Sequence, residues 1–347
     1  MPRVITCPLP LPVKEHVVLG HGSGGRLSAE LMRTVFQPLF SNPALDRADD
    51  QAQVEAGGAR LAFTTDSFVV KPLFFRGGDI GSLAVHGTVN DLAVGGAIPL
   101  FLSAAFLIEE GFPLATLRRV TESLSSAVKA CGVQVVTGDT KVVERGSCDG
   151  LYINTSGIGL VREGLNLTAA NAHPGDVILL SGTLGDHGIA IMAEREGLEF
   201  ECPVESDSAA LHTLVDAMLA ASGGIRCMRD PTRGGLSSAL NEIAAIAGAG
   251  MRLKEEAIPI REEVRGACEM LGLDPLYVAN EGKLIAIVAP DAADAILAAM
   301  RAHSLGRDAV VIGRVTADNP GIVVLETPYG TTRVVDMLSG DQLPRIC

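Results

Sequence analysis

Apolar and polar positions alternate with two different periods along this chain, and the switches between them divide it. Strand-like runs at residues 60–64, 99–108, 133–136 and 151–160 interleave with helical patterns at 27–40, 80–94 and 113–130, which predicts an α/β domain over residues 17–165. A polar connector at 164–174 closes on Pro174. The pattern resumes with strands at 177–180, 284–288, 310–315 and 322–325 and helices at 189–196, 209–221, 236–247 and 292–300, a second α/β domain over 172–337. Residues 1–16, with four prolines by Pro12, read as an N-terminal extension. Residues 338–347, with Gly340, Pro344 and few apolar groups, read as a mobile tail.

Composition narrows the function classes. The 347 residues carry 28 basic and 41 acidic side chains, a net charge of −13, so neither a basic nucleic-acid groove nor a polybasic membrane patch is expected. With no Trp and three Tyr, a base-stacking or sugar-binding platform is disfavoured. The 39 glycines exceed an average usage of about 7% without a collagen period or a Gly/Ser linker, so they are expected to shape loops. No apolar run approaches a membrane span, and the N-terminus lacks a small-residue cleavage site. A reducing cytoplasm is the expected address. The seven cysteines (Cys7, Cys131, Cys148, Cys202, Cys227, Cys268, Cys347) are odd in number, widely spaced and free of C-x-x-C pairs, which signals neither a disulfide framework nor a zinc site. Six are expected to pack as small hydrophobes; Cys347, the last residue, stands apart.

Several loops carry candidate chemistry. Gly20-His21-Gly22-Ser23-Gly24-Gly25 precedes a predicted helix and meets G-x-G-x-x-G on spacing, but a turn at 40–46 stands where that fingerprint needs a second strand and an acid. Arg26 and Leu27 replace the Lys and Ser/Thr of a Walker A loop. The loop reads as an anion cradle or as an ordinary turn. Asp50, Asp66, Asp79, Asp91 and Asp139 lie beside glycines or at strand ends. Mg²⁺ takes such oxygens, and an acidic protein holds a nucleoside triphosphate through ions that bridge carboxylate to phosphate; singly, each Asp also suits a turn or a cap. Ser82, His86 and Asn90 share one stripe of the helix at 80–94, with Asp91 at a neighbouring angle. The segment from Arg229 to Leu236, with Arg233, either holds an anion or merely starts a helix. His187 reads as an acid/base or a hydrogen-bonded loop histidine, and Asn280-Glu281-Gly282-Lys283 as an acid beside a base or a solvated turn.

The strings TTDSFVV, GGDIGSLAVHGTVNDLAVGGAIP, VTGDTKVV, SGTLGDHG, RDPTRGGL, VANEGKL and the terminal PRIC together resemble the HypE family of hydrogenase maturation proteins, from about His21 to Cys347. Only the proline-bearing extension lies outside. The resemblance implies the two-domain aminoimidazole ribonucleotide synthetase-like fold, of α/β (α+β) type. Its N-terminal domain would form a homodimer through its sheet and bind Mg-ATP beside that interface.

The resemblance further implies chemistry on Cys347. A carbamoyl group delivered by HypF would sit there as a thiocarbamate, be dehydrated with ATP to a thiocyanate, and pass as cyanide to the iron of a [NiFe]-hydrogenase on a HypC–HypD scaffold. Phosphorylation of the amide oxygen makes it a leaving group, and loss of the N–H protons then yields C≡N. By the same resemblance Asp50, Asp66, Asp91 and Asp139 would hold Mg²⁺. Gly24, Gly25, Asp79, Asn90, Thr140 and Arg233 would join Asp66, Asp91 and Asp139 at the nucleotide, while Glu281 and Lys141 are the candidates for proton removal. A terminal carboxylate beside the Cys347 thiol should raise its pKa above about 8.5, suiting a carrier activated from outside. From Gly340 the tail reaches about 25 Å when extended. Competing expectations are another ATP-using member of the superfamily, such as a selenophosphate synthetase or thiamine-phosphate kinase, and a non-enzymatic thiol-bearing docking protein.

Overall fold

The computed structural model describes residues 16–197, 203–340, 343 and 345–347. Residues 1–15 with Cys7, most of the expected extension, lie outside them, as do Cys202 and Pro344. The N-terminal domain begins with a helical stretch formed by α1 (Arg26–Leu31), a π-helical turn (Met32–Phe36) and α2 (Gln37–Phe40), where the sequence predicts one helix. Its sheet has the order β1-β2-β7-β5-β6, from β1 (Ala52–Ala56), β2 (Ala59–Phe68), β5 (Ala97–Glu109), β6 (Gln134–Val143) and β7 (Leu151–Val161), with a small hairpin of β3 (Phe74–Phe75) and β4 (Gly78–Asp79) beside it. Strict alternation of buried and open positions along β7 shows the reason for the sequence period: one face of this sheet is covered and the other is not.

Helices α3 (Ile80–Val94) and α4 (Leu114–Ala130) cover the inner face. α3 is apolar on nearly all sides and buried, as befits a helix wedged between a sheet and a second domain. Asp79 caps it, accepting from the Gly81 and Ser82 backbone N–H groups at 2.7 and 3.1 Å. α4 is amphipathic and buries only Val120, Leu124 and Ala127.

The second domain is a seven-stranded sheet of order β14-β13-β10-β12-β8-β11-β9. Its strands are β8 (Val177–Leu180), β9 (Ile225–Arg229), β10 (Gly250–Lys254), β11 (Ile285–Val288), β12 (Val310–Thr316), β13 (Val323–Glu326) and β14 (Thr332–Val335). Its helices are α5 (Asp186–Glu196), α6 (His212–Ala221), α7 (Gly235–Ala247), α8 (Glu262–Leu271) and α9 (Ala293–Ala302). α7 packs on one face of the sheet and α6 with α9 on the other, so β8 and β11 are buried at every residue. The sequence pattern missed β1, β9, β10, β14 and α8, short segments whose charged residues mask the period. A shared core joins the domains: Phe68 and Ile80 of the first pack with Ile189 and Val264 of the second and with Leu343 and Ile346 of the tail.

The tail expected to be mobile is held here at its end. The Val69 and Lys71 backbone N–H groups donate to the carbonyls of Cys347 (2.9 Å) and Arg345 (3.1 Å), and the Arg345 guanidinium pairs with Asp149. Cys131, Cys227 and Cys268 are buried, as expected of packing cysteines, whereas Cys148 and Cys347 are half-buried.

Candidate active site at the seam of the two domains

Residues from five separate stretches, the tail among them, meet around Cys347. A cavity of about 150 Å³ is lined by Ser67 and Val69 at the end of β2, Arg233 before α7, Tyr277, Arg345 and Cys347. Glu281, in the loop before β11, is buried, and its Oε1 accepts no hydrogen bond among the described residues. Burial and the neighbouring charges of Asp230, Asp66 and Asp207 push its carboxyl well above the ordinary range, opposed by Arg233. Burial pushes the Cys347 thiol up to about 12, with Arg233 pulling down and Glu281 and Asp66 pushing up. The sequence pointed to a high thiol pKa through the terminal carboxylate; desolvation is the main cause. Cys347, Asp66, Glu281 and Asp91 in turn keep the Arg233 guanidinium charged.

A crowded carboxylate group adjoins this cavity. Asp91 on α3 accepts from Thr64 Oγ1 at 2.7 Å, and its pKa is raised well above normal by burial and by Asp230, Asp66 and Asp50. Asp66 is raised by burial. Asp230, missed as a site residue, is pushed up to about 8 by burial and Asp50; its position between Arg229 and Arg233 in RDPTRGG was the available signal. Among the described residues no three carboxylate, imidazole or thiol groups converge closely enough to hold an ion alone. Mg²⁺ at nucleotide sites takes one or two carboxylates and completes its shell with phosphates and water, so one or two of Asp66, Asp91 and Asp230 would suit a phosphate-bound ion.

Other expected site residues are placed differently. Asp50 pairs with Arg229 at 3.0 Å, and burial lifts it to about 6. Asn90 is buried and spends its amide on backbone, donating to Ala209 O (3.0 Å) and Glu281 O (3.2 Å) and accepting from Leu211 N–H (2.8 Å). Asp79 is committed to capping α3. Gly24 and Gly25 bring the chain against other backbone: a Cβ on Gly24, at φ +73°, would stand 2.6 Å from Arg233 O, and one on Gly25 2.2 Å from Leu338 O. Their loop buttresses the Arg233 loop and the start of the tail, a packing task that the motif alone does not reveal.

Asp139, Thr140 and Lys141 are not brought to this cluster within one chain. They lie on β6, open to solvent, with Lys141 Nζ 2.8 Å from Asp139, whose carboxyl this bond holds below the usual range. In register Asp139 aligns with Ala105, Asn154 and Ser67, three strand spacings or about 14 Å from β2. Sequence adjacency to a motif could not show this, because the pairing order of strands is a long-range property.

The chain matches the models of the AIR synthase related protein N-terminal domain over residues 48–161 and C-terminal domain over residues 173–326. It is 59% identical to the carbamoyl dehydratase HypE of Azotobacter vinelandii, covering 95% of this chain and 97% of that protein. Among solved structures it is similar to HypE in a HypE–HypF complex, at 48% identity and TM-score 0.85, covering 89% of this chain and 99% of that one. HypE in complex with ATP matches at 48% identity and TM-score 0.81, covering 96% and 100%. With both domain models matched in order and close to three-fifths identity over nearly its whole length, the chain belongs to the HypE family of AIR synthase related proteins.

Proposed function

We propose that this protein is an ATP-dependent carbamoyl dehydratase that converts a thiocarbamate on Cys347 to a thiocyanate, for cyanide delivery to a [NiFe]-hydrogenase. The observation that carries the reading is that the terminal thiol and the buried, unpartnered Glu281 carboxyl both lie within electrostatic reach of one guanidinium, Arg233, which with Cys347 lines the cavity. The cavity surrounds the group to be dehydrated with low dielectric, and Arg233 faces the charge that develops on the oxygen and its phosphoryl group. In the first step the thiocarbamate oxygen displaces ADP at the γ-phosphorus and one N–H proton leaves. In the second, the other N–H proton leaves as the C–O bond breaks, releasing phosphate and forming C≡N. Glu281 in its ionised form accepts the first of these protons and the departing phosphate takes the second. One or two of Asp66, Asp91 and Asp230 would hold Mg²⁺, which would supply charge neutralisation at the phosphates.

A homodimer completes this site. The outer face of the N-terminal sheet carries two apolar rows, Val54–Leu61–Leu160–Ile98 and Phe63–Ile158–Phe101, all at least partly open. Asp139 and Lys141 share a register row with open-face residues of β5 and β7. Pairing two such faces about an axis along the strands carries the partner's β6 over the β2 edge, so Asp139 and Lys141 serve in trans. HypF donates the carbamoyl group, a HypC–HypD scaffold accepts the cyanide, and the cytoplasm is the compartment.

Intact-mass measurement tests the reading. Protein carbamoylated by HypF is expected to lose the mass of one water when Mg-ATP is added, and Cys347→Ala to take up no carbamoyl group. A carbamoyl adduct that persists unchanged with Mg-ATP refutes it.

A further inference from the structure

Behind Cys347 stands a polar chain that the dehydration chemistry does not use. His187, in the first turn of α5, is fully buried, with Nε2 2.7 Å from the Ile346 carbonyl and Nδ1 2.8 Å from Ser206 Oγ. The directions are fixed. A carbonyl only accepts, so Nε2 carries the hydrogen; Ser206 Oγ accepts from the Ser208 N–H at 3.1 Å and donates its own hydrogen to Nδ1. Both ring nitrogens are thereby occupied, which leaves neither for proton transfer. The Phe75 ring meets the imidazole edge-on, with centroids 5.6 Å apart.

The same short segment, residues 206–209, grips Glu281. Asp207 Oδ1 accepts from the Glu281 N–H at 3.0 Å while Oδ2 pairs with Lys283 Nζ at 3.0 Å. Asn90 spans Ala209 O and Glu281 O, and a Cβ on Gly282 would stand only 1.7 Å from Asp207 O. One piece of backbone therefore holds the loop of the proton acceptor and, through an imidazole, the peptide that bears the substrate.

We propose that His187 is a positioning residue: with Ser206 it fixes the Ile346 carbonyl, and so the direction from which the group on Cys347 faces Glu281. The proposal rests on the dehydratase reading for its kinetic consequence, but not for the tie itself. Displacement of a reacting group by about 1 Å costs on the order of 100-fold in rate, so the loss of one such tie should be visible in chemistry and not in loading.

Two measurements on the full chain test it. In unloaded protein, alkylation of Cys347 by iodoacetamide, read on the C-terminal peptide by mass spectrometry, should quicken at least about tenfold in His187→Leu. It should stay within about threefold of the parent in His187→Gln, whose amide N–H takes the place of Nε2–H. In single turnover, His187→Leu should take up the carbamoyl group from HypF normally and bind Mg-ATP normally, yet lose water about 30- to 100-fold more slowly, with His187→Gln recovering most of that rate. Ser206→Ala, a milder change, should move both readouts the same way by about three- to tenfold and stands in if His187→Leu does not fold. Parent-like alkylation in both His187→Leu and Ser206→Ala, or equal slowing by Leu and Gln, overturns the proposal. A parent that never loses water refutes the dehydratase reading instead, and the alkylation comparison still decides the tie.

Discussion

The two sheets of this protein are built from similar strands and end up in opposite environments. The C-terminal sheet is packed on both faces, so Val177, Ile178, Leu179 and Leu180 of β8 are all buried whichever way they point. The N-terminal sheet is packed on one face only, leaving Phe63, Phe101, Ile158 and Leu160 open on the other. Such an apolar face contributes nothing to burial within one protomer, and the proposed homodimer would cover it with a second copy. The C-terminal sheet spends its apolar residues on its own core, and the N-terminal sheet leaves half of its faces open, the half the proposed homodimer would cover.

The largest test breaks that contrast outright. Phe101→Asp with Ile158→Asp is expected to give a folded monomer by light scattering, with ATP-dependent dehydration reduced about 100-fold or more, because Asp139 and Lys141 no longer reach a partner's site. A monomer of full activity would refute the trans arrangement. Next in size, Ile287→Ala in the doubly covered sheet should cost about 2–5 kcal/mol in denaturant unfolding, by lost burial and a cavity. A third effect sits at the seam between the sheets. Asp230 is pushed up to about 8 and Asp50 to about 6, both raised, so the folded protein keeps protons that the unfolded chain releases near pH 4. The contribution of these two groups is therefore fully present below about pH 4 and is lost as pH rises through 6 and 8 in metal-free protein. Asp230→Asn should flatten that loss in thermal melts at a series of pH values. The smallest effect is Ile158→Ala on the open face, below about 1 kcal/mol in a monomeric background; a cost equal to that of Ile287→Ala would erase the distinction between the sheets.

Much of this was legible in the residues. The alternation in β7, the apolar continuity of β8 and β11, and the amphipathic period of α4 gave their elements because each period reflects burial that the element meets. Asp66, Asp91, Arg233, Glu281 and Cys347 were all picked out by motif, and the fold brings the other four within electrostatic reach of Arg233. Legibility failed where a residue's task depends on what folds against it. Asn90 and Asp79 look like phosphate-side groups in sequence and are engaged with backbone; Asp230 looks like a turn residue and joins the carboxylates.

Local spacing and side-chain identity were enough for the periodic elements, the family and the chemical types of the reactive groups. Which of those groups meet was settled by folding alone. It set Asp139 about 14 Å from Ser67 across the sheet, turned the Gly24–Gly25 loop into a buttress, and tied Cys347 and Glu281 to one segment through His187 and Asp207. Those relations join residues scores to hundreds of positions apart, where strand order and close packing, rather than any local pattern, fix distance.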